Sequence, residues 1–389
     1  MKIIIFAGGI GTRLWPLSRK NSPKQFDKIF NGKSTLELAI ERVEPIVGLN
    51  NIFVQTTSEF ADAVRAQIST LLVENIFIEP SRRNVGPAVC YGMMRLRAMG
   101  GAESVAILWA DHLMEHTKEF RDALKLGDEL IKQNSERFIF LAERPRFANN
   151  NLGWINVGEK AGECGVNAAV HGGDCGGEND TPPLPLSRGE LTPPAHTQGG
   201  RDYFKFLGWK YKPESEECDQ MFKDGNYFWN PGYFISSVDF ILSQYESLAL
   251  EIYKNVKNAV EHPENALEYY EKCEKLSFDS AVIEKTDLSK AVVIKTNMGW
   301  SDPGTLYALK EALEKSKDDN VVKGKVVSLN TKDSLLYNFE EKKLLTAVGL
   351  DGFVVINTDD AIIIVPKDEV VNVTGLVEKI GEEGYAEYL

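Results

Sequence analysis

Residues 1–30, MKIIIFAGGIGTRLWPLSRKNSPKQFDKIF, are the most informative stretch of this 389-residue chain. A short apolar run, residues 3–7, leads into the glycine turn AGGIGTRL, and the WPLSR and SPKQF segments follow. Glycines without a Cβ atom leave backbone N–H groups free to face phosphate oxygens. These thirty residues carry a net charge of +5 in a chain whose net charge is −13, which indicates an anionic ligand. Together they predict a phosphate-binding loop.

The first hundred and forty residues alternate between short apolar runs and amphipathic stretches. The apolar runs predict strands at residues 3–7, 51–55, 75–78, 104–108 and 138–142. The amphipathic stretches predict helices at residues 35–47, 61–72, 87–99 and 119–133. Such alternation predicts an α/β fold, a mostly parallel Rossmann-like sheet with helices on both faces. Ligands of these sheets bind at the carboxyl ends of the strands, where the glycine turn and Asp111 both fall.

The chain divides into a catalytic domain and a smaller C-terminal unit. We predict a domain over residues 1–318, and over residues 319–389 a β-rich domain closed by a helix near residues 371–380. Residues 162–200 are rich in Gly and Pro without apolar periodicity and predict a disordered insertion. The same segment contains two cysteines and two histidines, but their spacing matches no zinc pattern, so a metal site there is the weaker interpretation. These are Cys164, His171, Cys175 and His196.

Composition narrows the class of protein. The acidic net charge argues against nucleic acid or an anionic membrane surface as the main partner. No apolar stretch is long enough to span a membrane. Five cysteines without paired spacing fit reduced thiols, so we expect a cytoplasmic protein.

The glycine turn has two competing interpretations, and both are weaker than phosphate binding. A Rossmann dinucleotide site would need a third glycine where the chain has Leu14, and a Walker loop would need a closing Gly-Lys-Ser/Thr. Arg13 and Lys24 add cations beside the turn. Asp111 ends an apolar run and Asp302 lies in the turn MGWSDPG, so both are candidate Mg²⁺ ligands. A helix cap at the first position and a turn former at the second remain equally good interpretations.

Several motifs together resemble a known family. FAGGIGTRLWPLSRKNSPKQF, from Phe6, resembles the signature of the sugar-1-phosphate nucleotidyltransferases. Trp15 with Gln25 and Phe26 is closer to the mannose-1-phosphate guanylyltransferases than to the thymidylyl and uridylyl enzymes. Similar motifs follow in the family's order: EPSRRNVGPAV from Glu79, ADH from Ala110, KP at Lys212, YFWNPGYF from Tyr227, FDSAVIEK from Phe278 and GWSDPG from Gly299. The resemblance covers almost the whole chain except residues 162–200.

The resemblance implies a Mg²⁺-dependent enzyme that joins GTP and a hexose 1-phosphate, expected to be mannose 1-phosphate, into GDP-mannose and pyrophosphate. It implies four catalytic residues, Arg13, Lys24, Asp111 and Asp302, of which the two aspartates would hold the metal. The implied nucleotide-binding residues are Gly8, Gly9, Gly11, Thr12, Arg13 and Asn84. The implied sugar-side residues are Gly153, Lys212, Asn230 and Glu284. A homodimer is a candidate assembly.

The chain departs from the family pattern at three places. Tyr211 stands where the family has a glutamate before the lysine-proline, and NNLGWI replaces TGYGYI on the sugar side. Val85 and Gly86 replace the usual Thr-Ala beside the nucleotide. The phosphate and metal positions match the family.

Three alternatives stay open at this point. One is a related enzyme with another nucleotide or sugar. A second is a non-catalytic regulatory subunit that binds a sugar nucleotide, although such a chain would be expected to have lost at least one of the four catalytic residues. The third is an NAD-dependent oxidoreductase, which the missing third glycine disfavours.

Overall fold

The computed structural model describes residues 1–9, 11–19, 24–26, 32–101, 103–164, 201–314, 316 and 318–389. The strands of the larger unit are β1 (Lys2–Phe6), β2 (Ile52–Thr57), β3 (Ile76–Glu79), β4 (Val105–Trp109), β5 (Leu113–Met114), β6 (Phe138–Glu143), β7 (Gly153–Glu163), β8 (Asp202–Tyr211), β9 (Tyr227–Trp229), β10 (Phe234–Ser236), β11 (Ala291–Thr296) and β12 (Trp300–Ser301). Its helices are α1 (Thr35–Val47), α2 (Ala61–Gln67), α3 (Val85–Ala98), α4 (Thr117–Gln133), α5 (Ser215–Asp224), α6 (Val238–Leu248), α7 (Leu250–Glu261), α8 (Ala266–Glu271), α9 (Phe278–Ala281) and α10 (Leu306–Leu313).

A ten-stranded sheet forms the centre of this unit, in the order β11-β8-β7-β9-β6-β10-β4-β1-β2-β3. Strands β4, β1, β2 and β3 run parallel to one another. Strand β10 lies antiparallel between β4 and β6, and the antiparallel strands β7, β8 and β9 extend the sheet beyond them. The predicted α/β fold, with a Rossmann-like sheet between layers of helices, is confirmed.

Both faces of the sheet are buried, which explains why its strands read as continuous apolar runs. In β1, Ile4 packs into one apolar cluster, with residues of α3, α6 and α7. Ile3 and Ile5 pack into a second cluster on the other face, with residues of α1 and α4. All three isoleucines have no exposed surface, and burying each one contributes about 1.5–3 kcal/mol.

Most predicted elements of the first half are found with shifts of a few residues at their ends. Helix α1 coincides with the predicted 35–47, and Ser34 and Glu37 form a capping box at its start. Helix α2 is shorter than predicted, because after Gln67 the chain turns and buries Ile68 and Leu71. Helix α5 was not predicted, since it is only ten residues long and buries only two side chains. Helix α7 was also missed, since no glycine or proline separates it from α6.

The C-terminal unit is a small β structure. Its elements are β13 (Val321–Lys323), β14 (Val326–Leu329), β15 (Leu335–Asn338), β16 (Leu345–Val348), β17 (Phe353–Asn357), β18 (Ile362–Pro366) and α11 (Val373–Glu382). Strands β13, β15 and β17 pair in parallel and β18 closes the sheet antiparallel, while β14 and β16 form a second parallel pair. The four residues of β15 are all buried, because its two faces pack against different apolar clusters. The division at residue 318 stays a prediction.

The predicted insertion falls mostly outside the described residues. Strand β7 continues to Glu163, two residues into the predicted segment, and residues 165–200 are not described. The Cys164 backbone N–H donates to the Arg201 carbonyl at 2.9 Å, so the described chain on the two sides of this segment meets as a β-ladder. Among the described helices, none is long and apolar enough to cross a membrane.

Candidate active site

A cavity of about 370 Å³ opens at the carboxyl ends of four parallel strands. The carboxyl ends of β4, β1, β2 and β3, or the loops that follow them, all contribute to its lining, as the sequence pattern predicts for a sheet of this kind. Predicted site residues supply much of the lining: Gly8, Gly9, Gly11, Arg13, Asn84 and Asp111. These six residues, which lie up to about a hundred positions apart in the sequence, therefore share one site.

The glycine turn after β1 is held open by buried side chains beneath it. The Gln25 amide donates to the Gly9 carbonyl at 2.8 Å and to the Ala7 carbonyl at 3.3 Å, and the Thr56 hydroxyl donates to Ala7 at 2.9 Å. Gly11 has a φ of +60°, a backbone conformation that favours glycine. Arg13 follows on a 3-10 turn, Thr12–Leu14, and lines the cavity. The side chains of the predicted residues Thr12 and Lys24 lie outside the described part of the chain.

Helix α3 begins at the same cavity and presents its N-terminus there. The Asn84 side chain accepts from the Val85 N–H at 2.8 Å, and Asn84 itself has a φ of +69°. A Cβ on Gly86 would lie 2.7 Å from the Leu276 carbonyl oxygen. This close approach explains why the chain has glycine where the family has alanine. The Val85 N–H and the Gly86 N–H are already bonded, the second to the Leu276 carbonyl at 2.8 Å, so what this helix end offers an anion or a polar ligand is its dipole.

Glu79 is a cavity residue to which the sequence analysis gave no role. It ends β3 and is 7% exposed, and its two carboxylate oxygens accept from the Gln55 amide at 3.0 Å and the Tyr270 hydroxyl at 3.2 Å. Burial raises the pKa of Glu79 to about 7. A buried strand ending in an acid at the ligand edge of the sheet is the signal that could have identified it.

Asp111 and Asp302 are brought together by a two-stranded ribbon. Strand β5, just after Asp111, pairs antiparallel with β12, just before Asp302. The buried Glu143 carboxylate fixes β12, because it accepts from the backbone N–H groups of Met298 at 2.8 Å and Trp300 at 3.1 Å. Gly304, two residues after Asp302, lines the cavity that Asp111 also lines. The predicted pair of carboxylates therefore shares one end of the site.

Beneath the ribbon, a buried polar network faces the two aspartates. Trp300 Nε1 donates to His112 Nδ1 at 3.1 Å, so Nδ1 is an acceptor and the imidazole proton lies on Nε2, 4.0 Å from Asp111 Oδ1. The Tyr233 hydroxyl lies 3.1 Å from His112 Nδ1. Burial raises the pKa of Tyr233, and the negative charges of Asp111 and Asp302 raise it further. Because the carboxylates of Asp111 and Asp302 both raise the pKa of the Tyr233 hydroxyl, both must lie near it, at the same end of the cavity.

The donor set at this end fits a hard divalent cation. Mg²⁺ binds through one or two carboxylates, and substrate phosphates and water complete its coordination. Asp111 supplies one carboxylate to the cavity lining, together with the glycine turn, and the ribbon brings the Asp302 carboxylate beside Asp111, next to the lining residue Gly304. Within the described residues no cluster of three or more His, Cys, Asp and Glu side chains could hold a metal.

Three of the four predicted sugar-side residues lie together, outside the residues that line the cavity. The Asn230 N–H donates to the Gly153 carbonyl at 2.8 Å, and Gly153 pairs across β7 and β8 with Tyr211, which precedes Lys212. Tyr211 is 73% exposed. Trp109 connects this group of residues to the cavity. It lines the cavity, and its Nε1 donates at 2.9 Å to the carbonyl of Gly232, two residues after Asn230.

Glu284 does not join this group in the structure. It lies on a 3-10 turn, Ile283–Lys285, where its side chain is exposed and outside the cavity lining. The departure NNLGWI has a packing explanation, since Trp154 is fully buried against Trp229 and donates to the Asn149 carbonyl at 3.0 Å.

The fold and this cavity define an α/β unit with a candidate ligand site at the carboxyl ends of its parallel strands, and comparison with known proteins gives its class. The nucleotidyl transferase family profile matches residues 2–163 and 207–319, and the profile of the mannose-phosphate isomerase/GMP-like β-helix domain matches residues 324–380. The chain belongs to the nucleotidyl transferase family. The resemblance found in the sequence is confirmed.

Individual relatives agree with this assignment along nearly the whole chain. Mannose-1-phosphate guanylyltransferase 2 of Escherichia coli O157:H7 is 26% identical over 397 aligned positions, which cover 99% of this chain and 74% of that protein. The alginate biosynthesis protein AlgA of Pseudomonas putida is 29% identical, with 99% and 72% covered. A crystal structure from Thermus thermophilus, described as a mannose-1-phosphate geranyltransferase, has a TM-score of 0.79 at 24% identity, covering 98% of this chain and 99% of that one. The structural likeness shows the shared fold.

Proposed function

We propose that this protein transfers GMP from GTP to a hexose 1-phosphate, mannose 1-phosphate in the first instance, and releases pyrophosphate. The observation that carries the proposal is that a glycine turn, the N-terminus of α3, Arg13 and Asp111 all line one cavity. The names of the relatives support the choice of mannose 1-phosphate and of a guanine nucleotide. The soluble partners would be GTP and the sugar phosphate.

The chemistry needs no protein nucleophile. A sugar 1-phosphate is largely dianionic at neutral pH, because its second pKa is near ~6. Its oxygen would attack the α-phosphorus in line, so a new P–O bond forms while the bond to the β-phosphate breaks and pyrophosphate leaves. The protein's task is to position two polyanions and neutralise their repulsion.

Each part of the cavity contributes to that task. The N–H groups of the glycine turn and the Arg13 guanidinium would bind phosphate oxygens, with Lys24 as a further cation in the same loop. Asp111 and Asp302 would hold Mg²⁺, which neutralises charge on the phosphates when it is bound. The Asn230 and Lys212 region would receive the sugar phosphate.

The position of Glu79 favours guanine as the base. If the phosphates bind at the turn after β1, the base of the nucleotide would extend over β2 towards β3. The carboxyl end of β3 lies three strand spacings, about 14 Å, from the carboxyl end of β4. A carboxylate there can accept from both N1–H and the 2-amino group of guanine. Thymine and uracil flank their single N–H with carbonyl oxygens, which a carboxylate repels.

The test is pyrophosphate release by purified protein with Mg²⁺ over a matrix of GTP, ATP, UTP and dTTP against mannose 1-phosphate and glucose 1-phosphate. The proposal predicts turnover with GTP and mannose 1-phosphate. Turnover only with a pyrimidine nucleotide and glucose 1-phosphate would overturn the specificity but not the reaction. No release from any pair would favour a regulatory, non-catalytic protein.

A further inference from the structure

The segment WPLSR begins two residues after Arg13, but none of its residues lines the cavity. We name residues 14–19 the arm. Leu14, Trp15 and Leu17 are 2%, 6% and 9% exposed, and they pack into an apolar cluster whose other members come from α10 and the C-terminal β unit. That cluster includes Leu306, Leu335, Val354, Ile356 and Ile363. The arm therefore turns its apolar side chains away from the cavity and into the β unit.

Polar contacts fix the arm at two further points of the β unit. Trp15 Nε1 donates to the Tyr388 carbonyl at 2.8 Å. The Arg19 guanidinium makes a two-pronged contact with the Asp360 carboxylate, at 2.7 and 2.5 Å, and also donates to the Tyr388 carbonyl at 3.2 Å. A paired fork of this kind fixes orientation as well as distance. The Arg19 guanidinium holds the pKa of Asp360 below its usual range.

Asp360 is itself placed by the turn between β17 and β18. The Thr358 N–H donates to the Ala361 carbonyl at 2.9 Å, and the Thr358 hydroxyl donates to Asp360 Oδ1 at 3.0 Å. Because this turn already orients the Asp360 carboxylate, forming the contact with Arg19 costs Asp360 little side-chain conformational entropy.

Arg13 lies between two supports. Before it, Gln25 holds the glycine turn through the Gly9 carbonyl at 2.8 Å. After it, the 3-10 turn that carries Arg13 ends at Leu14, whose side chain is in the β-unit cluster. We infer that the C-terminal β unit positions the phosphate-binding loop: through Trp15, Arg19 and Asp360 it fixes Arg13 at the cavity and so sets the affinity for the nucleoside triphosphate. Trp15, Arg19 and Asp360 are positioning residues, not catalytic ones.

This inference rests on the proposed function for the identity of the ligand, so the experiment has a readout that does not. Asp360→Asn removes one of the two contacts with Arg19 at constant side-chain size, and Trp15→Phe removes the indole N–H contact and part of the aromatic surface while keeping an aromatic ring. Asp351→Asn is the matched control, since Asp351 forms an exposed ion pair with Lys332 in the same β unit and does not touch the arm. For each variant we would measure the Kd for GTP, the KM for the sugar 1-phosphate, and hydrogen–deuterium exchange of residues 11–19 without ligand.

We expect Asp360→Asn to weaken GTP binding by about 2- to 5-fold and Trp15→Phe by about 2- to 10-fold, the ranges typical of such contacts. The KM for the sugar phosphate should stay unchanged, and exchange in residues 11–19 should accelerate. Asp351→Asn should match the wild type. Arg19→Asp has two effects, because it breaks the contact with Asp360 and also removes a cation near the proposed anion site. The charge-swapped pair R19D/D360R separates these effects, since it restores the contact and keeps the net charge constant while residue 19 stays without a positive charge.

Recovery of most of the GTP affinity by the swapped pair supports positioning. Unchanged GTP affinity in both single variants, or equal weakening for GTP and the sugar phosphate, would overturn the inference. If the wild-type protein bound no nucleotide, the proposed function would fail. The positioning of the loop by the β unit would then be tested by hydrogen–deuterium exchange alone, and exchange of residues 11–19 in the variants equal to that in the wild type would overturn the inference too.

Discussion

Replacing Glu79 by glutamine tests how the cavity selects its base. The amide can keep both protein contacts, because its oxygen still accepts from Gln55 and its NH₂ can donate to the Tyr270 hydroxyl, so the fold should be retained. What is lost is the negative charge and one of the two acceptor oxygens proposed to bind guanine. A hydrogen bond to a charged group contributes about 1.5–3 kcal/mol, so kcat/KM for GTP should fall about 10- to 150-fold.

The assay compares GTP with ITP, which lacks the 2-amino group. Wild-type protein should prefer GTP over ITP by about 10-fold or more, and Glu79→Gln should reduce that preference to about 5-fold or less, because the remaining contact is between neutral groups. Glu74→Gln, an exposed position on the turn before β3, controls for the loss of one negative charge nearby. A GTP-to-ITP ratio unchanged by Glu79→Gln would refute the assignment, since a carboxylate that reads the base cannot be removed without changing that ratio.

Four further results are expected. Alanine at Asp111 or Asp302 should reduce turnover by at least ~10²-fold through loss of the metal. Asp62→Ala, an exposed control on α2, should leave turnover unchanged. Normal turnover of Asp111→Ala and Asp302→Ala at saturating Mg²⁺ would contradict the metal assignment. The pKa of Glu79 rises from about 4.5 to about 7 on folding, so the folded state binds the proton more tightly and the wild type loses stability as pH rises through this range. Glutamine does not titrate, so the difference in unfolding midpoint between Glu79→Gln and the wild type should grow in favour of the variant from pH 5 to pH 8. A difference that stays constant over this range would contradict the raised pKa. Deleting residues 165–200 and joining the ends by a short turn should change the free energy of unfolding by no more than about 1 kcal/mol in chemical denaturation, and loss of folding would show a structural role. Gly86→Ala should destabilise the protein by about 1–3 kcal/mol, because the new methyl group meets a carbonyl 2.7 Å away; an unchanged midpoint would show that the chain relaxes there.

Local sequence predicted the parts of the site that follow directly from strands. The glycine turn and Asp111 come immediately after buried apolar runs, and parallel strands deliver such residues to one edge. Asp302 was predicted as an acid in a turn, but the ribbon that brings it to Asp111 pairs two strands of two residues each, which carry almost no periodic signal.

Other features depended on contacts between distant parts of the chain. The role proposed for Glu79 depends on the order of β1, β2 and β3 and on the approach of Tyr270, about 190 residues away. The contacts of the arm with Asp360 and Tyr388 join the two ends of the sequence, and no local pattern records them. Glu284 was predicted from motif order alone, and the sugar-side assignments stay predictions.

The most direct test of the central claim follows the label from GTP with mannose 1-phosphate, Mg²⁺ and purified protein. With GTP labelled at the α-phosphate, the account predicts label in a sugar nucleotide with the mass of GDP-mannose. With GTP labelled at the γ-phosphate, it predicts label only in pyrophosphate. Label from the γ-position in orthophosphate or in a phosphorylated sugar, with none from the α-position in a sugar nucleotide, would contradict nucleotidyl transfer by this cavity.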